Sequence, residues 1–303
     1  MVHAPVRRPV AAPSRRRRLG APIALQLLAM LGLGTVLYPA AADWISSLGH
    51  NAERSGYVRE VESLSVDDRN SGLAAAREYN ANLPGTLLSD PYANAAAQES
   101  QPDDAAYRTY EEVLRVSGTD VIGEVIYPSL RIGLPLYHGA ADQAISRGVG
   151  HLYGSSLPVG GPSTHAVLTS HSGLVHASLF TRLPQAGIGD TFQVRALGET
   201  LYYRVDRIET VEPFVTDSLG VTEGEDRVTL FTCTPIGVNS HRLLVSAVRV
   251  AAPSGAEDRA LAGDGVRAGV PWWAVGFCGG SAIVAYLLFS PARPAAALGT
   301  RKL

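Results

Sequence analysis

The sequence predicts a mainly β outer domain held between two membrane-spanning helices. Three observations carry this. At least seven short β-rich runs, punctuated by Gly, Pro, Ser and Asn, fall within about 130 residues after Asp120. Two long uncharged apolar spans bracket them. The stretch between the first span and Asp120 is polar, with helical rather than alternating patterning.

The first span, 19–42, reads LGAPIALQLLAMLGLGTVLYPAAA, 24 residues without a charge. A hydrocarbon core needs about 20. The basic tail over 1–18 precedes it, with Arg7, Arg8 and Arg15 to Arg18. Ala40, Ala41 and Ala42 also offer small residues of the kind a signal peptidase cuts, so an anchor and a cleaved signal both fit this end. The second span, 270–289, opens on Trp272 and Trp273, where an aromatic belt would lie, and Arg293, Arg301 and Lys302 follow in the tail over 290–303. Positive charge outside both spans predicts cytoplasmic termini and an outward-facing middle.

Residues 43–119 are expected to be helical. AAAREYNANL, from Ala74, suits a helix stopping at Pro84-Gly85, and AAYRTYEEVLRV, from Ala105, places Tyr107, Tyr110 and Leu114 on one face. Between them Asp90-Pro91-Tyr92 is a turn signal in loose Ala/Gln/Ser/Pro composition. Over 120–252 the runs VIGEVIYP, LRIGLPLYHG, THAVLTSH, TFQVRAL, TLYYRVDRIETV, RVTLFTC and HRLLVSAVRV read as strands of one barrel or sandwich. Short helices are expected near Ala141–Ser146 and Ser178–Leu183, and a linker over 253–269 returns to the membrane.

The composition narrows the chemistry. The chain has 303 residues, 46% apolar, and a net charge of −2 without a basic stripe in its middle, which gives no basis for nucleic-acid binding. No Cys/His cluster has zinc spacing, so no metal or other cofactor is expected. Cys233 and Cys278 are the only cysteines, and Cys278 falls in the second apolar span. Cys233 is therefore a lone thiol, either a small buried hydrophobe or a reactive group. It ends the run Val228-Thr-Leu-Phe-Thr-Cys233, whose alternation puts Thr229, Phe231 and Cys233 on one face and Val228, Leu230 and Thr232 on the other. His171 ends Leu168-Thr-Ser-His171, and Arg242 begins the last strand. A thiolate attacks, an imidazole moves the proton, and a fixed guanidinium stabilises oxyanion charge: the set suits acyl transfer. His165 and His241 are rivals for the imidazole role. By alternation His165 shares the face of His171 but lies six residues back, whereas His241 points away from Arg242.

Here the sequence resembles the sortases. Thr229-Leu-Phe-Thr-Cys233 matches their Thr-Leu-x-Thr-Cys signature, with Arg242 at the expected interval. GVGHLYGSSLPVGGPSTHAVLTSHSGLVHASLFTRL, from Gly148, and CTPIGVNSHRLLV, from Cys233, look like the corresponding segments of the pilin-polymerising class C. The resemblance covers roughly residues 70–250. It implies a closed β-barrel of about seven or eight strands, with Cys233 as nucleophile, His171 as general acid/base, Arg242 as holder of substrate and oxyanion, and Thr229, Thr232 and Ser170 in support. It also implies a lid of Asp90, Pro91 and Tyr92, with Tyr92 over Cys233 and Asp90 toward Arg242. The lid aromatic is Tyr where the family more often has Trp or Phe, and Ser170 and Ser172 flank His171 where class C commonly has Gly and Arg. These departures bear on lid affinity and substrate choice. The implied substrates are pilins or surface proteins with C-terminal Leu-Pro-x-Thr-Gly-like signals, and the acceptor is a pilin lysine amine. The alternatives are a sortase of another class that anchors proteins to the cell wall, and a non-catalytic membrane-anchored adhesion or scaffold domain. The Ser-His-Gly-Cys pattern of L,D-transpeptidases is absent.

Overall fold

The computed structural model describes residues 20–83, 88, 90–92, 105–252 and 269–290. The tail expected over 1–18, the tail expected over 290–303 apart from Ser290, and the linker expected over 253–269 apart from Gly269 lie outside them. The chain divides into two compact units, one over 39–270 and one formed by the segments before Pro39 and after Val270.

In the smaller unit the first part of helix α1 (Gly20–Ser63) meets helix α5 (Trp272–Phe289). Both helices are long and apolar enough to cross a membrane, and neither apolar window is buried within the protein. Gly276 and Gly280 lie four apart on α5, and Leu37 and Leu33 of α1 approach them closely. Small residues at this spacing let helices come together in lipid. Gln26 donates through Nε2 to the Ser281 carbonyl at 3.1 Å.

The larger unit is a closed barrel of eight strands. These are β1 (Val121–Tyr127), β2 (Ile132–His138), β3 (Val149–His151), β4 (Thr164–Thr169), β5 (Thr191–Ala196), β6 (Glu199–Val211), β7 (Asp226–Thr234) and β8 (His241–Val250). Around the barrel the order is β1-β2-β3-β4-β7-β8-β6-β5. The β2–β3 and β4–β7 pairs are parallel. Ala166, Leu168, Val228, Leu230, Leu243 and Val245 fill the interior. The intervening residues face outward, and there Val167, Phe231 and Leu244 form a second apolar floor with Leu152 and Leu219. One strand alternation thus serves both a packed core and an external trough.

Several expected boundaries move. The helix expected from Ala74 is α2, Val66–Ala81, and begins eight residues earlier. Ser65 caps it, accepting from the Asp68 N–H at 3.0 Å. Helix α3 spans Ala105–Glu112 and stops before Leu114, which has φ 65° yet is buried beside Tyr107 and Tyr110. The short β3 was not expected. Its Val-Gly-His is too brief to show a period. Near Ala141–Ser146 lies α4, Asp142–Ile145. No α-helix forms over Ser178–Leu183, where the chain makes turns before a 3-10 turn at Leu183–Gln185. Helix α1 runs on past the apolar span to Ser63, and its later part buries Arg54, Tyr57 and Val61. Arg54 donates to Glu124 of β1 at 2.6 Å, and Arg195 of β5 donates to the same carboxylate at 2.9 Å. Tyr57 donates to the Ile122 carbonyl and accepts from the Leu197 N–H.

Candidate active site

The site lies on the outward face of β4, β7 and β8. Cys233 is directly opposite Arg242 in the β7–β8 register. Such a pair brings its Cβ atoms to about 5 Å. Both residues are buried, Cys233 at 8% exposure and Arg242 at 5%. The Arg242 guanidinium is held from two directions. Its Nε donates to both carboxylate oxygens of Asp90, at 2.9 and 3.2 Å. Its Nη1 donates to the Asn239 and His241 carbonyls at 3.0 and 3.2 Å. The neighbouring His241 side chain is exposed.

His171 sits two residues beyond the end of β4, not within the strand, because β4 stops at Thr169. Its loop is nonetheless tied down. The His171 N–H donates to the Ile145 carbonyl at 3.4 Å, and its carbonyl accepts from Phe180 N–H at 3.0 Å. Its Nε2 lies 2.8 Å from Asp142 Oδ1. Ser172 Oγ donates to the Cys233 carbonyl at 2.7 Å and joins this loop to β7.

The Asp90–Tyr92 segment covers the trough. Asp90 accepts from the Tyr92 N–H at 2.9 Å, an Asx turn that shapes the segment. The Tyr92 ring stacks on Phe231, centroids 5.7 Å apart and planes 6° apart, and lies 5.9 Å from the His171 ring. Its stacking partner is therefore Phe231, two residues before Cys233 on the same strand face. The Arg242 guanidinium lies 5.5 Å from the Tyr92 centroid. The Tyr92 hydroxyl donates to the Ser170 carbonyl at 2.8 Å and pairs with Thr169 Oγ1 at 2.7 Å. Leu88, ahead of Asp90, packs on the same apolar floor.

The three supporting residues divide. Thr232 Oγ1 donates to the Ser170 carbonyl at 2.8 Å, and Ser170 Oγ donates to the Ile145 and Gly148 carbonyls, so both brace the His171 loop. Thr229 lies further down the strand, bonded to Ser246 and His165. His165 is buried with both nitrogens engaged, Nδ1 at the Gly220 carbonyl and Nε2 at Thr229, and desolvation lowers its pKa. It is a structural histidine, away from Cys233. A cavity of about 710 Å³ opens at that end, lined by Leu83, Leu88, His165 and Leu219 among others.

Burial pushes the Cys233 thiol up to about 11, with Arg242 opposing and Asp90 adding to the effect. Covered in this way the thiol is protonated near neutral pH. The sequence reading missed Asp142 and Phe231. Phe231 was legible as a face-mate of Cys233, whereas nothing in linear spacing ties Asp142 to His171. Among the described residues no cluster of His, Cys, Asp and Glu has the makings of a metal site.

The sortase domain family matches residues 125–250. The crystal structure of sortase C-1 from Actinomyces oris is 45% identical, with a TM-score of 0.58, over 61% of this chain and 99% of that one. The pilus-related sortase C of Group B Streptococcus is 38% identical, with a TM-score of 0.59, over 65% of this chain and 96% of that one. Sortase A of Streptococcus agalactiae is 29% identical over 117 residues, 38% of this chain, and the match spans 47% of that protein's length. Similarity at 38–45% identity that spans 96–99% of the solved sortases C places the chain in class C of the sortase family of cysteine transpeptidases.

Proposed function

We propose that this protein is a membrane-tethered transpeptidase that links pilin subunits. The observation that carries the reading is the Cys233–Arg242 pair on adjacent strands, with the His171 loop tied to Cys233 through Ser172. With the lid displaced, the Cys233 proton passes to His171 and the thiolate attacks the carbonyl carbon of the threonine in a Leu-Pro-x-Thr-Gly-like signal. Arg242 stabilises the oxyanion that forms. The Thr–Gly C–N bond breaks, His171 gives a proton to the departing glycine amine, and a thioester remains on Cys233. A pilin lysine amine then attacks the thioester carbonyl and loses a proton to His171. An isopeptide bond forms and the Cys233 thiolate leaves. The upstream residues of the signal lie along β4 and β7 toward the cavity beside His165.

Asp90, Pro91 and Tyr92 act as a lid in this reading. Asp90 occupies the guanidinium that a substrate carbonyl needs, and Tyr92 covers the floor beside Cys233. Both apolar helices cross the membrane, which puts both termini in the cytoplasm and the barrel outside, where exported pilins are held nearby.

The test is a purified full chain in detergent, incubated with a sorting-signal peptide and a pilin domain bearing the acceptor lysine. The reading requires an isopeptide product that disappears in Cys233→Ala. The sortase A match favours a second reading, transfer to a cell-wall peptide amine. Offering both amines together decides between them: preference for the cell-wall peptide would overturn pilin joining.

A further inference from the structure

His171 is held by a four-residue helix that the chemistry above does not use. Helix α4 grips the histidine at both ends. Its last residue, Ile145, accepts the His171 N–H, and its first, Asp142, faces the ring at 2.8 Å. Ser170 Oγ donates to the same Ile145 carbonyl at 3.2 Å, so two neighbouring residues of the loop are tied to α4. Two titratable groups face the ring, Asp142 from α4 and Tyr92 from the segment above it. Enclosure of its hydroxyl raises the Tyr92 pKa far above the working range, so Tyr92 stays neutral and Asp142 brings the charge.

We propose that Asp142 is the positioning residue for His171. Its carboxylate accepts the Nε2–H and fixes the tautomer. This leaves Nδ1 as the nitrogen that exchanges a proton with the reacting amine. Asp142 is 61% exposed on its side chain and His171 20%, so water screens the pair and its effect is moderate. No other side chain is recorded on the ring nitrogens among the described residues.

This inference rests on the transpeptidase reading, and the experiment separates the two. The parent is the full chain in detergent carrying Tyr92→Ala to uncover Cys233. Acylation by a sorting-signal peptide is followed by intact mass across pH, in the parent and with Asp142→Ala, Asp142→Asn or Asp142→Glu added. In Asp142→Ala, kcat falls roughly 10-fold with KM little changed, a part of the ~10²–10⁴ that a positioned acid–base group supplies. In Asp142→Asn, which keeps an acceptor for the Nε2–H but no charge, kcat falls less than in Asp142→Ala, again with KM little changed. Asp142→Glu restores most of the rate. Parent-like rates in all three variants would overturn the inference alone. So would an equal loss in all three with a lowered melting temperature, which marks a purely structural role. A parent that forms no thioester would overturn the transpeptidase reading, and this inference with it.

Discussion

At Cys233, burial and the Asp90 carboxylate outweigh the pull of Arg242, and the thiol is held up at about 11. Removing Asp90 or Tyr92 lets water reach the sulfur, and in Asp90→Ala it leaves the guanidinium charge uncompensated. Both changes lower the thiol pKa, and each pH unit is worth about tenfold in thiolate. Asp90→Ala and Tyr92→Ala should therefore speed alkylation of Cys233 by iodoacetamide at pH 7.5 at least ~10-fold. Unchanged labelling would mean that the segment is only a linker. His165→Ala should leave acylation intact and lower the melting temperature, because both ring nitrogens serve internal bonds. Near-loss of acylation in His165→Ala alongside an active His171→Ala would reverse the two assignments. Cys233 and Arg242 were legible in the sequence because each sits at a strand end, in segments that match the sortase signature. Asp142 was not, since its carboxylate meets His171 only after 29 residues of chain have folded back.

Elements were readable where their period was long enough. The seven strands foreseen each carry several alternating residues, whereas β3 spans three. Helix α2 was placed late because Asn70, Ser71 and Gly72 weaken helical propensity near its start, although Ser65 and Asp68 form a cap signal there. Helix was expected after the apolar span, but not that α1 would run on unbroken to Ser63 and set Arg54 against Glu124. Arg54 and Glu124 each keep only 2% side-chain exposure in that pair. Glu124→Ala strands a buried guanidinium. It should cost about 3–5 kcal/mol, read as an earlier denaturation midpoint by tryptophan fluorescence or circular dichroism. A midpoint within error of the parent would show that the pair is dispensable for holding α1 on the barrel.

For the whole molecule, acid should loosen the fold through histidines remote from the site. Desolvation holds His138 down at about 4 and His151 down at about 3. In the unfolded chain each takes a proton near 6.5. Their contribution is complete above that pH and is lost as pH falls from about 6.5 toward 4 and 3. Melting temperature should begin to drop near pH 6.5, above the carboxylate range. A flat profile down to pH 4 would contradict this. Lys302 is the single lysine, and arginine supplies the remaining basic charge. A barrel domain without lysine offers a thioester no side-chain amine of its own. Lysines added beside Cys233 should then yield self-linked enzyme by mass spectrometry, and their failure to do so would leave the missing lysines without a role in the chemistry. The central claim is that Cys233 carries the acyl group. Intact-mass analysis of the full chain with Tyr92→Ala, mixed with a sorting-signal peptide, tests it most directly. A hydroxylamine-labile adduct is expected on Cys233, equal to the peptide acyl fragment and absent from His171→Ala and Arg242→Ala. An uncovered Cys233 that forms no such adduct would contradict it.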